Sequence, residues 1–195
     1  MVSPLMARHL SRIYLAGPDV FLPDPVARGA VLKAICARHG LDGVYPLDPV
    51  VDDPAWADWP EARRISAKNV RHMLGCDAIA ANLTPFRGPS ADAGTVFELG
   101  FMAARGPAFG WSNVVEDFVT RTLAFLGPGA RHDPGRGWVD AQGMAVEAFG
   151  CADNLMIDGA LTALFRRATP EAARWDDLSA FEDAVAAAAR ALRPV

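Results

Sequence analysis

The chain has 195 residues, half of them hydrophobic, with a formal net charge of −4 and a pI near 5.5. This length is sufficient for a sizeable core, and we expect a single domain over residues 1–195. The acidic balance and the scattered basic residues exclude a phosphate backbone as the favoured partner, so no nucleic-acid polymer is expected.

The sequence has no clear motif for secretion, membrane insertion or metal binding. The first residues, MVSPLMARHLSR, lack the apolar segment of a secretory signal, and no run of about 18 apolar residues occurs anywhere. Cys36, Cys76 and Cys151 lie too far apart for a CxxC metal spacing or a disulfide framework, and the histidines are dispersed. We therefore expect a cytoplasmic protein with no membrane contact, no metal and no cofactor.

In the first half of the chain, short apolar runs alternate with helical patterns. RIYLAG, stopped by Gly17 and Pro18, is typical of a buried strand, and the next segment has apolar residues at helical spacing. In chain order we predict a strand at 12–17, a helix at 26–40, a strand at 42–47, a helix at 61–75 and a strand at 77–83. A loop rich in Pro, Asp and Trp, 48–60, separates the second strand from the second helix.

The second half begins with the same alternation and then becomes less regular. We predict a helix at 93–104, a strand at 108–113 and a helix at 115–127, followed by closing helices at 154–168 and 178–193. The Gly- and Pro-rich segment 126–143 is interpreted either as a mobile lid or as disorder. Together these elements predict an α/β fold: a doubly wound, flavodoxin- or Rossmann-like parallel sheet flanked by helices, with C-terminal helices.

The carboxyl ends of the predicted strands indicate where a ligand binds. Ligands of open parallel sheets bind beyond these ends, so the loops after Gly17, Leu47, Asn82 and Gly110 are expected to converge. The polar side chains on these loops are Asp19, Asp48, Arg87, Ser90, Asp92 and Asn113. Glu98, about a turn and a half into the third helix, is expected to face the same crevice.

Glu98 is the only ionisable side chain between Ala93 and Ala104, in the stretch SADAGTVFELG. The helix is apolar on nearly every side, so we expect it to be buried, with Val96, Phe97 and Met102 forming an apolar wall. A buried carboxylate is normally paired, protonated or in use. The structural alternative is an ion pair from Glu98 to Arg87 or Arg105.

The available chemistry is that of carboxylates. GPDVFLP and RGPSADAG match neither the dinucleotide fingerprint nor the P-loop. Paired carboxylates carry out glycosidic-bond chemistry, and Glu98 with Asp92 at the helix mouth is the candidate pair. The alternative for Asp92 is a helix N-cap, and for Asp77 a turn or cap before the third strand.

Three segments in order, IYLAGPDVF, CDAIAANLTPFRGPSADAGTVFELGFMAARG and GMAVEAFGCADNLMIDGAL, resemble the nucleoside 2-deoxyribosyltransferase family. The resemblance runs from Ile13 to about Leu161. It implies exchange of the base of a 2′-deoxynucleoside through a covalent deoxyribosyl-enzyme, without metal or cofactor. The implied ligands are purine and/or pyrimidine 2′-deoxynucleosides and free bases. The implied assembly is a homo-oligomer, a dimer or hexamer, with sites shared between subunits.

The resemblance also implies roles for individual residues. Glu98 is the nucleophile that attacks C1′, Tyr14 steadies it through its hydroxyl, and Asp92 contacts the base and assists its protonation. Asp77 supports the base site, and Asn154 reaches the 5′-hydroxyl of the sugar in a neighbouring subunit. The further substrate-binding residues are Gly17, Phe21, Asp48 and Met102. The loop 48–60 has no match in the family pattern, so the base preference stays undefined.

Two other functions are compatible with the same scaffold. One is a nucleoside 5′-monophosphate N-glycosidase, which uses water in place of the second base. Asp153 beside Asn154 makes that pocket unfavourable for an anion, so we favour the free nucleoside. The other is a non-catalytic nucleotide-sensing module, in which Glu98 is part of a structural ion pair.

Overall fold

The computed structural model describes residues 10–51 and 53–193. Its strands in chain order are β1 Arg12–Ala16, β2 Asp42–Val44, β3 Ala78–Asn82, β4 Ala108–Ser112, β5 Arg131–Asp133, β6 Gly137–Val139 and β7 Ala163–Arg166. Five of them form a parallel sheet in the order β2-β1-β3-β4-β7. Tyr14 at the centre of β1 is paired with Val44 on one side and Ile79 on the other.

The helices cover both faces of this sheet. They are α1 Pro25–Arg38, α2 Glu61–Leu74, α3 Ala93–Ala103, α4 Phe118–Leu126, α5 Leu155–Gly159 and α6 Ser179–Ala191. Since side chains alternate along a strand, Ile13 and Leu15 pack under α1 and α6, while Tyr14 faces α2 and α3. The predicted doubly wound α/β fold is confirmed.

The predicted closing helix at 154–168 is wrong in its second half. Helix α5 is short, and after it the chain forms β7, which pairs with β4 at the edge of the sheet. Ala163 and Phe165 pack on one face and Leu164 on the other, so the strand is apolar on both sides. A short run of this kind does not differ in periodicity from a buried helix.

The segment 126–143 is folded, so the interpretation as disorder is wrong. Strands β5 and β6 form an antiparallel hairpin, and Val139 in β6 is buried. Gly137 supports the tight turn because its φ of 76° lies in the left-handed region.

Over 10–51 and 53–193, the helices are too short or too polar to cross a membrane.

Candidate active site

Glu98 and Tyr14 form the centre of the site. Tyr14 is fully buried in β1, and its hydroxyl donates a hydrogen bond to Glu98 Oε1 at 2.7 Å. The ion-pair alternative is wrong for the two arginines considered, because the guanidinium groups of Arg87 and Arg105 lie over the rings of Phe86 and Phe101. Tyr14 thus fixes one carboxylate oxygen of Glu98, and over residues 10–51 and 53–193 no hydrogen bond to Oε2 is seen.

The environment of Glu98 favours its neutral form. Burial raises the pKa of Glu98 from 4.5 to about 7; the Tyr14 hydrogen bond opposes this shift, and the negative charge of Asp92 adds to it. Burial, together with the neighbouring carboxylate of Glu98, also raises the pKa of Tyr14 further above its ordinary value. Tyr14 therefore stays a hydrogen-bond donor, while the charge of Glu98 changes near neutral pH.

Glu98 opens into a cavity of about 290 Å³ between α2 and α3. Helix α2 supplies most of the wall, which sequence reasoning missed. The lining residues are Ala62, Ile65, Ser66, Asn69, Val70, Met73, Gly94, Phe97 and Glu98. Ser66 and Asn69 are the uncharged polar side chains in this lining, and apart from them and Glu98 the wall is apolar. Their spacing of three residues on the amphipathic helix α2 is the signal that could have identified them.

The prediction of an apolar wall around Glu98 is only partly correct. Phe97 lines the cavity, but Val96 lies on the opposite side of α3 and Met102 is 1% exposed in the core beneath the helix. The prediction that α3 is buried nearly all round is also wrong within this chain, because Phe97 is 62% exposed and Gly100 is exposed. Met102 is part of the core between α3 and the sheet and does not line the cavity.

Asp92 is the N-cap of α3, as the structural alternative predicted. Its Oδ2 accepts hydrogen bonds from Thr95 N at 3.0 Å and from Thr95 Oγ1 at 3.1 Å. The carboxylate of Asp92 also acts on Glu98 through its charge. Because the cap uses Oδ2, Oδ1 is the oxygen that Asp92 can offer to a ligand.

Gly17 and Phe21 lie at the carboxyl end of β1. A Cβ at Gly17 would lie 2.7 Å from the Cβ of Asn82, so only glycine lets the two strand ends pack this closely. Phe21 is 55% exposed and stacks on Phe86, with the two ring centroids 5.4 Å apart. The guanidinium carbon of Arg87 lies 4.6 Å from the centroid of the Phe86 ring. The resulting aromatic surface can stack on a planar ring.

Asp77 lies at the opposite edge of the sheet. It precedes β3, and its Oδ2 accepts a hydrogen bond from Arg12 N at the amino end of β1. This contact agrees with the alternative that Asp77 serves the turn before β3. The position of Asp77 does not support a role in a base site. A carboxylate at the amino ends of the strands cannot face a crevice at their carboxyl ends.

Asp48 is occupied by contacts in its own part of the fold. Its carboxylate accepts hydrogen bonds from Lys33 Nζ at 2.7 Å and from Tyr45 N at 3.0 Å. The loop that follows is held against α2 by Arg71, which donates to Asp53 and lies over the Trp56 ring at 4.3 Å. This loop therefore supports the helix that lines the cavity of Glu98.

Asn154 and Glu98 of the same chain line different cavities. It caps α5 and lines a second cavity, of about 610 Å³, on the other side of α3. This cavity is largely apolar, with Val96, Gly100 and Met156 in its wall. Helix α3 thus separates Asn154 from Glu98.

Asp153 faces the interior, which removes the electrostatic argument made from the sequence. It is 2% exposed, lies 3.7 Å from Arg121 and accepts hydrogen bonds from Ser90 Oγ and Ala91 N. The carboxylate next to Asn154 is instead that of Glu147, whose Oε1 accepts a hydrogen bond from Asn154 Nδ2 at 2.6 Å. Sequence reasoning missed Glu147, which is seven positions away from Asn154 and has no motif of its own.

Within the described ranges 10–51 and 53–193, no group of three or more His, Cys, Asp or Glu side chains is arranged to hold a metal ion.

Comparison with known proteins identifies the family. The family model described as nucleoside 2-deoxyribosyltransferase matches residues 13–156. An uncharacterized protein of Schizosaccharomyces pombe, C191.05c, is 31% identical over 158 residues, 75% of each chain. The solved structure of a 2-desoxiribosyltransferase from Leishmania mexicana is 30% identical, with a TM-score of 0.56 over 75% of this chain and 85% of its own. The chain therefore belongs to the nucleoside 2-deoxyribosyltransferase family.

Proposed function

We propose that the protein is an enzyme that transfers the 2-deoxyribosyl group between nucleobases by a retaining double displacement. The observation that carries the proposal is the Tyr14–Glu98 hydrogen bond of 2.7 Å at the edge of a largely apolar cavity. A carboxylate with one oxygen held by a hydrogen bond, at the edge of a largely apolar cavity, is suited to nucleophilic attack.

In the first step, Oε2 of ionised Glu98 attacks C1′ of the deoxyribose. The new C1′–O ester bond forms as the glycosidic C1′–N bond breaks, and the bonding electrons leave with the base. Asp92 assists protonation of the departing base by relaying a proton from solvent through Oδ1, the oxygen not used by the helix cap. The product is a deoxyribosyl ester of Glu98 and a free base.

In the second step, a nitrogen of the incoming base attacks C1′ from the face that the first base left. The ester bond breaks, Glu98 regains its carboxylate, and the proton lost by the incoming base is relayed by Asp92 to solvent. Two inversions at C1′ retain the configuration. The apolar walls from α2 and Phe97 favour a base over water as the acceptor.

We also propose that the complete site needs a second copy of the chain. Asn154 lies on the far side of α3 from Glu98, so it is not available to the sugar held by the same chain. The exposed apolar residues Met156 and Phe149, 73% and 70% exposed, lie near Asn154 in sequence and suit an interface between copies. In such a homo-oligomer Asn154 contacts the 5′-hydroxyl of the sugar bound by its neighbour.

One experiment separates this function from its two alternatives. The protein is incubated with deoxyinosine, with and without adenine, and the products are separated by chromatography. Formation of deoxyadenosine supports the transferase. Hypoxanthine alone, with or without adenine, would indicate a hydrolase such as the N-glycosidase, and no reaction would favour a nucleotide-sensing module.

A further inference from the structure

Glu147 accepts a hydrogen bond from Asn154, and no cationic side chain of the described residues forms an ion pair with Glu147. Its Oε1 accepts a hydrogen bond from Asn154 Nδ2 at 2.6 Å, and its Oε2 accepts one from Leu155 N at 3.1 Å. Among the ion pairs of the described residues, Glu147 has no cationic partner. The nearby cation Arg121 is directed to Asp153 and to the carbonyl oxygens of Pro89 and Ala152.

The surroundings of this carboxylate are negative. Asp158 lies in the same turn, where it accepts hydrogen bonds from Ala152 N and Asp153 N. Burial is the main cause of the raised pKa of the Cys151 thiol, and the negative charges of Asp158 and Glu147 raise this pKa further. A second anion placed beside Asn154 would therefore meet uncompensated negative charge.

The hydrogen-bonding capacity that remains at Asn154 is specific. Its Oδ1 already accepts a bond from Met156 N, and one of its two amide hydrogens is given to Glu147. The second amide hydrogen and the remaining lone pairs of the Glu147 carboxylate stay available. This pair offers one donor and one anionic acceptor to the same ligand group.

A hydroxyl matches this pair, and a phosphate does not. A hydroxyl oxygen can accept from Asn154 and donate its hydrogen to Glu147. A phosphate dianion has only acceptors, so it cannot donate to the carboxylate and is repelled by it. We propose that Glu147 selects substrates with a free 5′-hydroxyl over the corresponding 5′-monophosphates. The proposal rests on the proposed contact between Asn154 and the 5′ end of the sugar.

The test measures binding, so it does not depend on turnover. Glu98→Gln protein is titrated calorimetrically with deoxyinosine and with deoxyinosine 5′-monophosphate, and the same titrations are repeated with Glu98→Gln/Glu147→Gln. We expect the first protein to bind the nucleoside at least about tenfold more tightly than the monophosphate. The added Glu147→Gln change should strengthen monophosphate binding by about ten- to a hundredfold, because it removes one charge at close range. Nucleoside binding should weaken by no more than about fivefold, since glutamine retains an acceptor for Asn154.

Two controls accompany these titrations. Glu147→Asp keeps the charge and should keep the preference for the nucleoside. Glu171→Gln alters the net charge equally at an exposed residue outside both cavities and should change neither affinity. Circular dichroism checks that each variant is folded.

The outcomes separate this inference from the transferase proposal. The role of Glu147 is overturned if Glu98→Gln protein binds the monophosphate as tightly as the nucleoside. It is also overturned if the added Glu147→Gln change does not alter monophosphate binding. A preserved binding pattern in a protein that performs no base exchange would leave Glu147 as the selecting residue and remove the transferase function. Binding of neither ligand would overturn both.

Discussion

The hydroxyl of Tyr14 in β1 and the carboxylate of Glu98 in α3, 84 positions apart, lie 2.7 Å from each other across the sheet–helix interface. Burial raises the pKa of Glu98 to about 7, and this hydrogen bond limits the rise. The two residues together therefore determine at which pH the proposed nucleophile is ionised.

Replacing Tyr14 with phenylalanine should shift the acid limb of the activity profile to higher pH. Without the hydrogen bond the pKa of Glu98 rises further, so a smaller fraction of the enzyme carries the reactive carboxylate. We expect kcat/KM to fall about tenfold at pH 6 and much less at pH 9. The measurement is the pH dependence of kcat/KM for base exchange.

Tyr45→Phe is the matched control, because Tyr45 is the second of the two tyrosines and its buried hydroxyl has no hydrogen-bond partner among the residues that the structure describes. This variant should keep the profile of the wild type. An acid limb that is the same in Tyr14→Phe and Tyr45→Phe would contradict the proposed coupling.

Glu98→Gln should abolish base exchange and alter the pH dependence of stability. The folded protein binds a proton at Glu98 more tightly than the unfolded chain does, because the pKa is about 7 when folded and 4.5 otherwise. The free energy of unfolding of the wild type therefore falls as pH rises from about 4.5 to about 7. Glutamine removes this loss, so the variant should be more stable than the wild type by about 2–3 kcal/mol at pH 8 and by little near pH 4.5.

Urea unfolding at the two pH values measures this difference. Wild-type protein that is as stable at pH 8 as Glu98→Gln would show that the carboxylate is not destabilised by burial. Retained exchange in the variant would remove Glu98 as the nucleophile.

A mixture of two inactive variants should regain activity. Glu98→Gln lacks the proposed nucleophile and Asn154→Ala lacks the proposed sugar contact, so an assembly of both chains has one intact site if sites are shared. We expect up to about a quarter to a half of wild-type activity, depending on the assembly, after subunits are allowed to exchange. Activity that stays at background, despite exchange verified by mass spectrometry, would indicate a site built within one chain.

Asp153→Ala should destabilise the fold strongly. Asp153 accepts hydrogen bonds from Ser90 Oγ, Ala91 N and Asn154 N and compensates the charge of Arg121. Its loss leaves these groups without their acceptor, at a cost of about 3–5 kcal/mol. The control Asp183→Ala removes an exposed pair with Arg167 and should cost about 1 kcal/mol or less. Equal midpoints for both variants in thermal unfolding would contradict this interpretation.

A 2′-deoxynucleoside should react faster than the ribonucleoside. The electron-withdrawing 2′-hydroxyl destabilises the oxocarbenium-like transition state. We expect initial rates with adenine as acceptor to be at least about tenfold higher for deoxyinosine than for inosine, which is more than about 1.4 kcal/mol in activation free energy. Equal rates would remove the deoxyribosyl assignment.

The central sheet could be predicted from the sequence because β1, β3 and β4 are buried on both faces and read as continuous apolar runs. Strand β7 could not, since it is short, lies at the edge and follows directly after the turn of α5. Its apolar residues fit a helix and a strand equally well until its pairing with β4 is known.

Within the site, the difference lies between residues with local signals and residues placed by the fold. Glu98 is identified by its apolar neighbours, and Asp92 by its position before a helix. Asp77 also has a local signal, because it precedes β3 and so lies at the amino ends of the strands, which does not support the predicted place in a base site. Glu147 has no local signal, because the folding of separate segments brings it to Asn154, whereas Asn69 has only its spacing from Ser66 on α2.

The buried carboxylate of Asp153 has a consequence for how the sequence can vary. It anchors the loop that leads into α3, and thereby Glu98, and it also fixes the backbone of Asn154. In the proposed assembly these two residues serve different sugars. A single substitution at Asp153 would then disturb two reaction centres at once, and it would leave Ser90 and Arg121 without the carboxylate that they contact.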